Sequence, residues 1–392
     1  MTPAARLQAA IEIIDEVIAS ARDDGPPADV IVTRYFKSRR YAGSKDRRAV
    51  RDLVFRAIRR SAERPDSGRA AIVGLARDEP DLLGLFGEPR GPEPVREGEE
   101  ETPAGTVPAW IRPELSPLVG EAEWPALLER APLDLRVNVA RKTRDAMLAG
   151  FEGAEATPIS PWGLRLAPDS KVDDHAAVAH GLVEVQDEGS QLIALACRAA
   201  PGERIIDLCA GAGGKALALA SATHNDAEII ACDTNRARLS KLMPRAERAG
   251  ASIAVRLLDG GREAEQLADL EGEADLVLVD APCSGSGTWR RNPEGRWRLT
   301  QERLDRLAAL QAHILDLAEP LVKPGGRLVY AVCSILSREG AAQIDAFLSR
   351  HSSWTVDVVP FEVGRIDGAG RLLTPAHDST DGFFVASLTR KW

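Results

Sequence analysis

The chain has 392 residues, 44% of them apolar and 28% charged, and a formal net charge of −9. That length exceeds what one hydrophobic core fills, so at least two domains are expected, and the composition excludes a disordered or fibrous chain. No run approaches the roughly 18 apolar residues that cross a bilayer, and Arg6, Gln8 and Glu12 interrupt any secretory stretch. The five cysteines form no C-x-x-C pair, which argues against a disulfide framework or a zinc site. The expectation is a cytoplasmic, metal-free monomer.

Residues 1–86 read as a small helical domain. Thr2 before Pro3 is a helix start, a capping hydroxyl followed by a residue whose missing N–H costs nothing there. Leu7, Ile11, Ile14 and Ile18 then repeat at helical spacing, as do Val50, Leu53, Val54, Ala57 and Ile58 after Ser44. Charge is unevenly spread: residues 31–64 hold twelve Lys or Arg against three acids, leaving this segment at +9 and the rest of the chain at −18. Arg39, Arg40, Lys45, Arg47 and Arg48 are candidate phosphate contacts, with Tyr35, Phe36 and Tyr41 interleaved as stacking surfaces for RNA.

Residues 87–107 are dominated by Gly, Pro and Glu, a composition that buries no core and predicts a mobile acidic loop without a function. Residues 108–184 suggest a small α/β connector with strands at 135–139 and 162–166. From 185 to 392, short β-branched runs alternate with helices, which predicts an α/β domain built on a parallel sheet. The expected strands are 204–209, 228–232, 253–258, 275–279, 327–332, 354–359 and 383–389.

The first of these strands runs into Cys209-Ala210-Gly211-Ala212-Gly213-Gly214-Lys215 and then a helix. Glycines let backbone and helix N-terminus approach a ligand at the strand ends of such a fold. Asp233, directly after the second strand, is placed for ribose hydroxyls, and Asp259, after the third, for an adenine amino group. An adenosine cofactor fits, with a dinucleotide still open on these residues alone. The fourth strand ends in Asp280-Ala281-Pro282-Cys283 and the fifth in Tyr330-Ala331-Val332-Cys333, so two thiols should share one crevice. Carbon 5 of cytosine becomes nucleophilic only after a thiolate adds at carbon 6, and Lys215 is a candidate for lowering a thiol pKa. A second group must then see the carbon 5 proton removed. Asp280 can hydrogen-bond the ring edge that separates cytosine from uracil. Arg290, Arg291, Arg296 and Arg298, with Trp289 and Trp297 between them, suit the RNA beside an extruded base.

At these residues the chain resembles the RsmB/Sun (NOL/NOP/Sun) family of RNA cytosine-5 methyltransferases. Its motifs appear in order: Val185-Gln186-Asp187-Glu188-Gly189-Ser190-Gln191, the turn to Lys215, Asp280 to Gly285, Asn292-Pro293-Glu294, Gly325-Gly326, Tyr330 to Ser334, and Asp381-Gly382-Phe383-Phe384. Upstream, Arg136-Val137-Asn138 looks like the segment preceding the family's catalytic domain. The resemblance implies a Rossmann-like (class I) methyltransferase domain using S-adenosyl-L-methionine, preceded by a NusB-like RNA-binding domain. It makes Cys333 the nucleophile and Cys283 the residue that assists release, and it lines the cofactor site with residues 209–215, Asp233, Asp259 and Asp280. Two departures stand out. Ala212 replaces the family's usual proline, which should loosen the turn, and Ala331-Val332 replace Ser-Thr, which removes hydroxyls beside the nucleophile.

Small-subunit (16S) ribosomal RNA is the substrate such a family member implies, with transfer RNA as the alternative. Methyl transfer to an exocyclic nitrogen would call for an aromatic residue in the cluster after the fourth strand, and Asp280-Ala281-Pro282-Cys283 lacks one. A ribosome-assembly factor that had lost catalysis would show erosion at a thiol or at the glycine turn, and neither is eroded.

Overall fold

The computed structural model describes residues 1–23 and 25–392. They form two compact units whose boundaries cross the chain more than once: Met1–Leu115 with Gly120–Glu129 and Thr288–Gln301, and Ser116–Val119 with Arg130–Gly287 and Glu302–Trp392. Among the described residues, no helix is long and apolar enough to cross a membrane.

The first unit is helical. Helix α1, Pro3–Arg22, starts where the Thr2 hydroxyl accepts the Ala5 amide, and it buries Leu7, Ile11, Ile14, Val17 and Ile18. It packs against α3, Ser44–Arg60, and α4, Gly68–Asp78, with α2, Ala28–Lys37, beside it. Tyr35 and Phe36, expected as exposed stacking surfaces, are instead core residues, because α2 turns its apolar stripe inward; only Tyr41 is exposed, at 73%. The acidic stretch 87–107 forms no helix or strand, yet two of its carboxylates are engaged: Glu99 pairs with Arg69 and Glu101 with Arg77 on α4.

The segment Thr288–Gln301 joins this helical unit. Trp297 enters its core and donates its indole N–H to the Ser61 carbonyl at 2.9 Å. Arg296 is fully buried and its guanidinium donates to the carbonyls of Pro293, Thr106 and Ile58. Burial lowers its pKa to about 9, so it stays charged at neutral pH, a cost offset by those acceptors. Glu294 accepts the Ala28 amide at the start of α2.

The second unit begins with four short strands, β1 (Leu133–Val137), β2 (Glu155–Ala156), β3 (Gly163–Leu166) and β4 (Val183–Val185), in an antiparallel sheet of order β2-β3-β1-β4. Asp134 on β1 accepts from Arg165 of β3 and from the Glu188 amide that opens helix α5, Glu188–Ala196. The larger sheet follows, from β5 (Arg204–Asp207), β6 (Glu228–Asp233), β7 (Ala254–Leu257), β8 (Ala274–Asp280) and β9 (Val322–Val332) to β10 (Trp354–Asp357), β11 (Arg365–Asp367), β12 (Gly370–Leu373) and β13 (Phe383–Arg390). Its order is β11-β12-β13-β9-β8-β5-β6-β7, with β10 paired to β13. Strands β7, β6, β5, β8 and β9 run parallel and β13 antiparallel. This is a Rossmann-like α/β sheet. Helix α6, Gly214–Ala222, follows β5, and α7, Gln301–Ala318, precedes β9.

Candidate active site

The carboxyl ends of β5, β6, β8 and β9 open onto a crevice of about 590 Å³. Cys209, Asp233, Asp280, Cys283 and Cys333 line its strand side, and Leu307, Leu310, Ile314 and Leu317 of α7 form an apolar wall. Such a mixture of apolar surface and a few convergent polar groups is the usual makeup of a cofactor site, and the place is where doubly wound sheets bind ligands.

The turn from β5 into α6 needs its glycines for two reasons visible in the packing. Gly211 and Gly213 take φ of 56° and 84°, a region costly for residues with a Cβ. A Cβ on Gly211 would also come within 2.5 Å of the Arg238 guanidinium, and one on Gly213 within 2.5 Å of Leu242. The turn is further closed by Arg245, which donates to the Ala212 carbonyl at 2.6 Å. A contact from outside the loop therefore supplies stiffness that proline would have given.

Asp233 braces this turn. One carboxylate oxygen accepts the Gly211 amide at 2.7 Å and the other the Asn235 amide at 2.6 Å. Each oxygen keeps a second lone pair for a ribose hydroxyl. Asp259 is exposed and held by Gln266, which donates to its carboxylate at 3.0 Å; Leu258 and Gly260 on either side line the crevice while Asp259 does not. Asp207, which sequence reasoning passed over, is fully buried at the end of β5 with no hydrogen bond to either oxygen among the described residues. Burial, and after it the Asp280 carboxylate, raise its pKa to about 7. Asp207 thus sits behind the crevice lining, in the field of Asp233 and Asp280.

The two thiols meet. Cys283 Sγ and Cys333 Sγ are 3.3 Å apart, brought together because β8 and β9 are parallel neighbours with Asp280 opposite Ala331. The expected depression of thiol pKa by Lys215 is not found at Cys283. Its hydrogen bond with Cys333, and then burial, push that thiol well up. Lys215 Nζ instead donates to Asp280 Oδ2 at 2.6 Å, with the ammonium largely buried. Ala331 and Val332, where hydroxyls were missed, are fully buried strand residues.

The basic surface is narrower than the sequence suggests. Arg34, Arg51, Arg56 and Arg60 pair with Glu16, Asp29, Glu79 and Asp78. Arg39 lies over the Tyr35 ring at 3.6 Å and near Glu12. Lys37, Arg40, Lys45 and Arg48 are exposed around the α2–α3 turn with no carboxylate partner among the described residues, and Arg47, also exposed, donates to the Ala42 carbonyl. Arg290 is buried, contrary to its expected role at an RNA surface, since it belongs to the segment that enters the helical unit; Arg291 is half-buried there. Arg298 likewise donates to the carbonyls of Gly25 and Pro26.

A family profile described as 16S rRNA methyltransferase RsmB/F matches residues 194–389. The chain is 38% identical over 277 residues to ribosomal RNA small subunit methyltransferase B of Salmonella arizonae, an alignment covering 69% of this chain and 63% of that protein. The chain thus spans under two thirds of the length of the curated relatives it matches. Among solved structures, a methyltransferase homologue from Pyrococcus horikoshii superposes with a TM-score of 0.59 at 25% identity, over 68% of this chain and 89% of the other. The structure of PH0851 superposes with a TM-score of 0.75 at 23% identity over 99% of both chains, which extends the likeness in fold to the helical unit.

Proposed function

From the premise that this chain belongs to the 16S rRNA methyltransferase RsmB/F family, we propose that it methylates carbon 5 of a cytosine in small-subunit ribosomal RNA. Its cofactor is S-adenosylmethionine, which when bound supplies an electrophilic methyl group on a sulfonium. The residues at the strand ends fit it. Asp233 suits the ribose hydroxyls and the 209–214 turn the close backbone approach.

The observation that carries the cytosine-5 reading is the pair of thiols 3.3 Å apart at the ends of adjacent parallel strands. Methylation of an exocyclic nitrogen or of a ribose oxygen uses no thiol, and a structural cysteine has no need of a second at this distance. In the proposed reaction the Cys333 thiolate bonds to carbon 6, and the electrons of the 5,6 double bond move to carbon 5, which takes the methyl group. Removal of the carbon 5 proton, assisted from the Cys283 side, re-forms the double bond and expels the Cys333 thiolate. Asp280 accepts from the cytosine amino group while Lys215, bonded to the same carboxylate, holds it in place. The division of labour between the thiols follows the family resemblance, and the geometry is compatible with it.

Trapping tests both points. Small-subunit ribosomal RNA and cofactor are incubated with each variant and run on a denaturing gel. Cys283→Ala should accumulate a protein–RNA adduct, Cys333→Ala should form none and lose turnover, and the double variant should form none. Adduct in Cys333→Ala alone would exchange the roles. No adduct in any variant, together with no bisulfite-resistant cytosine in RNA treated with the wild type, would end the cytosine-5 reading.

A further inference from the structure

We infer that Glu339 is a positioning residue whose buried carboxylate holds the two cysteine loops in register, an inference that rests on the two-thiol reading above. Glu339 lies six residues after Cys333, in the turn that leads away from β9, and its side chain is inaccessible to solvent. No cation pairs with it among the described residues. Four donors converge on it instead. One oxygen accepts the Ser284 amide at 2.8 Å and Gln311 Nε2 at 3.0 Å, and the other accepts the hydroxyls of Ser284 and of Ser334, the latter at 2.6 Å.

The identity of those donors makes this more than a satisfied buried acid. Ser284 follows Cys283 and Ser334 follows Cys333, so one carboxylate grips the residue next to each thiol. Gln311, from α7, donates with the same nitrogen to the Pro282 carbonyl at 2.9 Å, on the other side of Cys283. The Ser286 hydroxyl lies 3.0 Å from that of Ser334 and accepts the Ile335 amide. Tyr330 on β9 closes the assembly by donating its hydroxyl to the Glu339 carbonyl at 2.7 Å. Charge-assisted bonds of this kind are short and directional, and a reacting pair tolerates little displacement. The two loops also meet through the hydroxyls of Ser284 and Ser334, 3.3 Å apart, and through the Gly287 amide, which donates to the Cys333 carbonyl at 3.1 Å; the Glu339 carboxylate is the acceptor on which the donors from both loops and from α7 converge. Glu339 touches neither thiol and acts through their neighbours.

The test reads thiol spacing directly. Diamide takes two electrons and two protons from a facing thiol pair and leaves a disulfide, so the rate of Cys283–Cys333 cross-linking in the full-length protein, followed by peptide mass spectrometry, measures how often the thiols meet. Glu339→Ala should slow cross-linking and lower kcat by about tenfold or more, while the Kd for S-adenosylmethionine moves by less than about threefold. Glu339→Gln keeps one acceptor oxygen and should recover much of the loss. If Glu339→Ala does not fold, Gln311→Ala carries the test, removing one donor from the network and slowing cross-linking by about threefold. Wild-type cross-linking rates in a folded Glu339→Ala or in Gln311→Ala would overturn the inference, as would a wild type that diamide cannot cross-link. The rate needs neither RNA nor cofactor, so a failed RNA adduct and a failed clamp are separate results.

Discussion

Lys215 Nζ and Asp280 Oδ2 stand 2.6 Å apart, and the ammonium is largely buried. A cation whose field reaches Cys333 is thus paired with the carboxylate proposed to read the cytosine. Asp280→Asn keeps the shape and removes the charge, freeing the ammonium to act on the thiols. Iodoacetamide should then alkylate the pair about threefold to tenfold faster at pH 7 than in the wild type. Equal rates would show that Lys215 does not reach the thiols. Turnover should fall nonetheless, because the charged acceptor for the base is gone.

Asp207 links stability to pH. Its pKa rises from 3.8 to about 7 on folding, so the folded state holds a proton that the unfolded state releases above pH 4. The sign follows: the contribution of Asp207 to stability is fully present below about pH 4 and is lost as pH rises through about 7, by as much as about 4 kcal/mol at roughly 1.4 kcal/mol per pKa unit. Asp207→Asn should abolish that decline. Urea unfolding at pH 5 and pH 7.5 measures it, and a variant with the same pH dependence as the wild type would remove Asp207 as its source.

Two groups of arginines should separate cleanly. Replacing Arg40, Lys45, Arg47 and Arg48 with alanine should flatten the salt dependence of RNA binding by about two to four log–log units, at roughly 0.7 to 0.9 per phosphate contact, and leave the melting temperature nearly unchanged. Arg296→Met should do the reverse. It strands carbonyls that now have a charged donor, costing about 3 kcal/mol of stability, with the salt slope intact. A salt slope altered by Arg296→Met would return that residue to the RNA surface.

Asp233→Ala should cost about 1.5–3 kcal/mol in S-adenosylmethionine binding, or roughly tenfold to a hundredfold in Kd by calorimetry. The loss has two sources, the ribose acceptor and the brace on the Gly211 amide. Asp233→Asn keeps an acceptor and should fall between the two. Equal affinity in all three proteins would place the ribose elsewhere.

The features legible in the sequence are those set by local chemistry. The start of α1 is written in Thr2 and Pro3, the cofactor turn in its glycines, and the thiol pair in two cysteines at the ends of apolar β-branched runs. Strands β11 and β12 were not, because Arg365-Ile366-Asp367 and Gly370-Arg371-Leu372-Leu373 are short and charged, held by pairing of β11 to β12 and of β12 to β13 rather than by periodicity. Glu339 gave no signal, since a glutamate in a Ser-Arg-Glu-Gly run reads as solvated until the fold closes over it. The arginines at 290–298 misled for the opposite reason: nothing local distinguishes a guanidinium bound for phosphate from one bound for backbone carbonyls. Tyr35 and Phe36 were drawn to the same error by their charged neighbours, although their spacing from Ile31 and Val32 already marked the inner face of a helix.

The excursion of residues Thr288–Gln301 into the helical unit has a temporal consequence. The helices at 3–78 precede the sheet in the chain, yet Trp297, which fills part of their core, and Arg296, which satisfies the carbonyls of Thr106 and Ile58, are made only after most of the parallel sheet. During synthesis the amino-terminal helices must wait, partly open, for a piece encoded far downstream. A shortened chain ending after Glu129 should accordingly behave as a loosened bundle, and adding the 288–301 peptide in trans should tighten it.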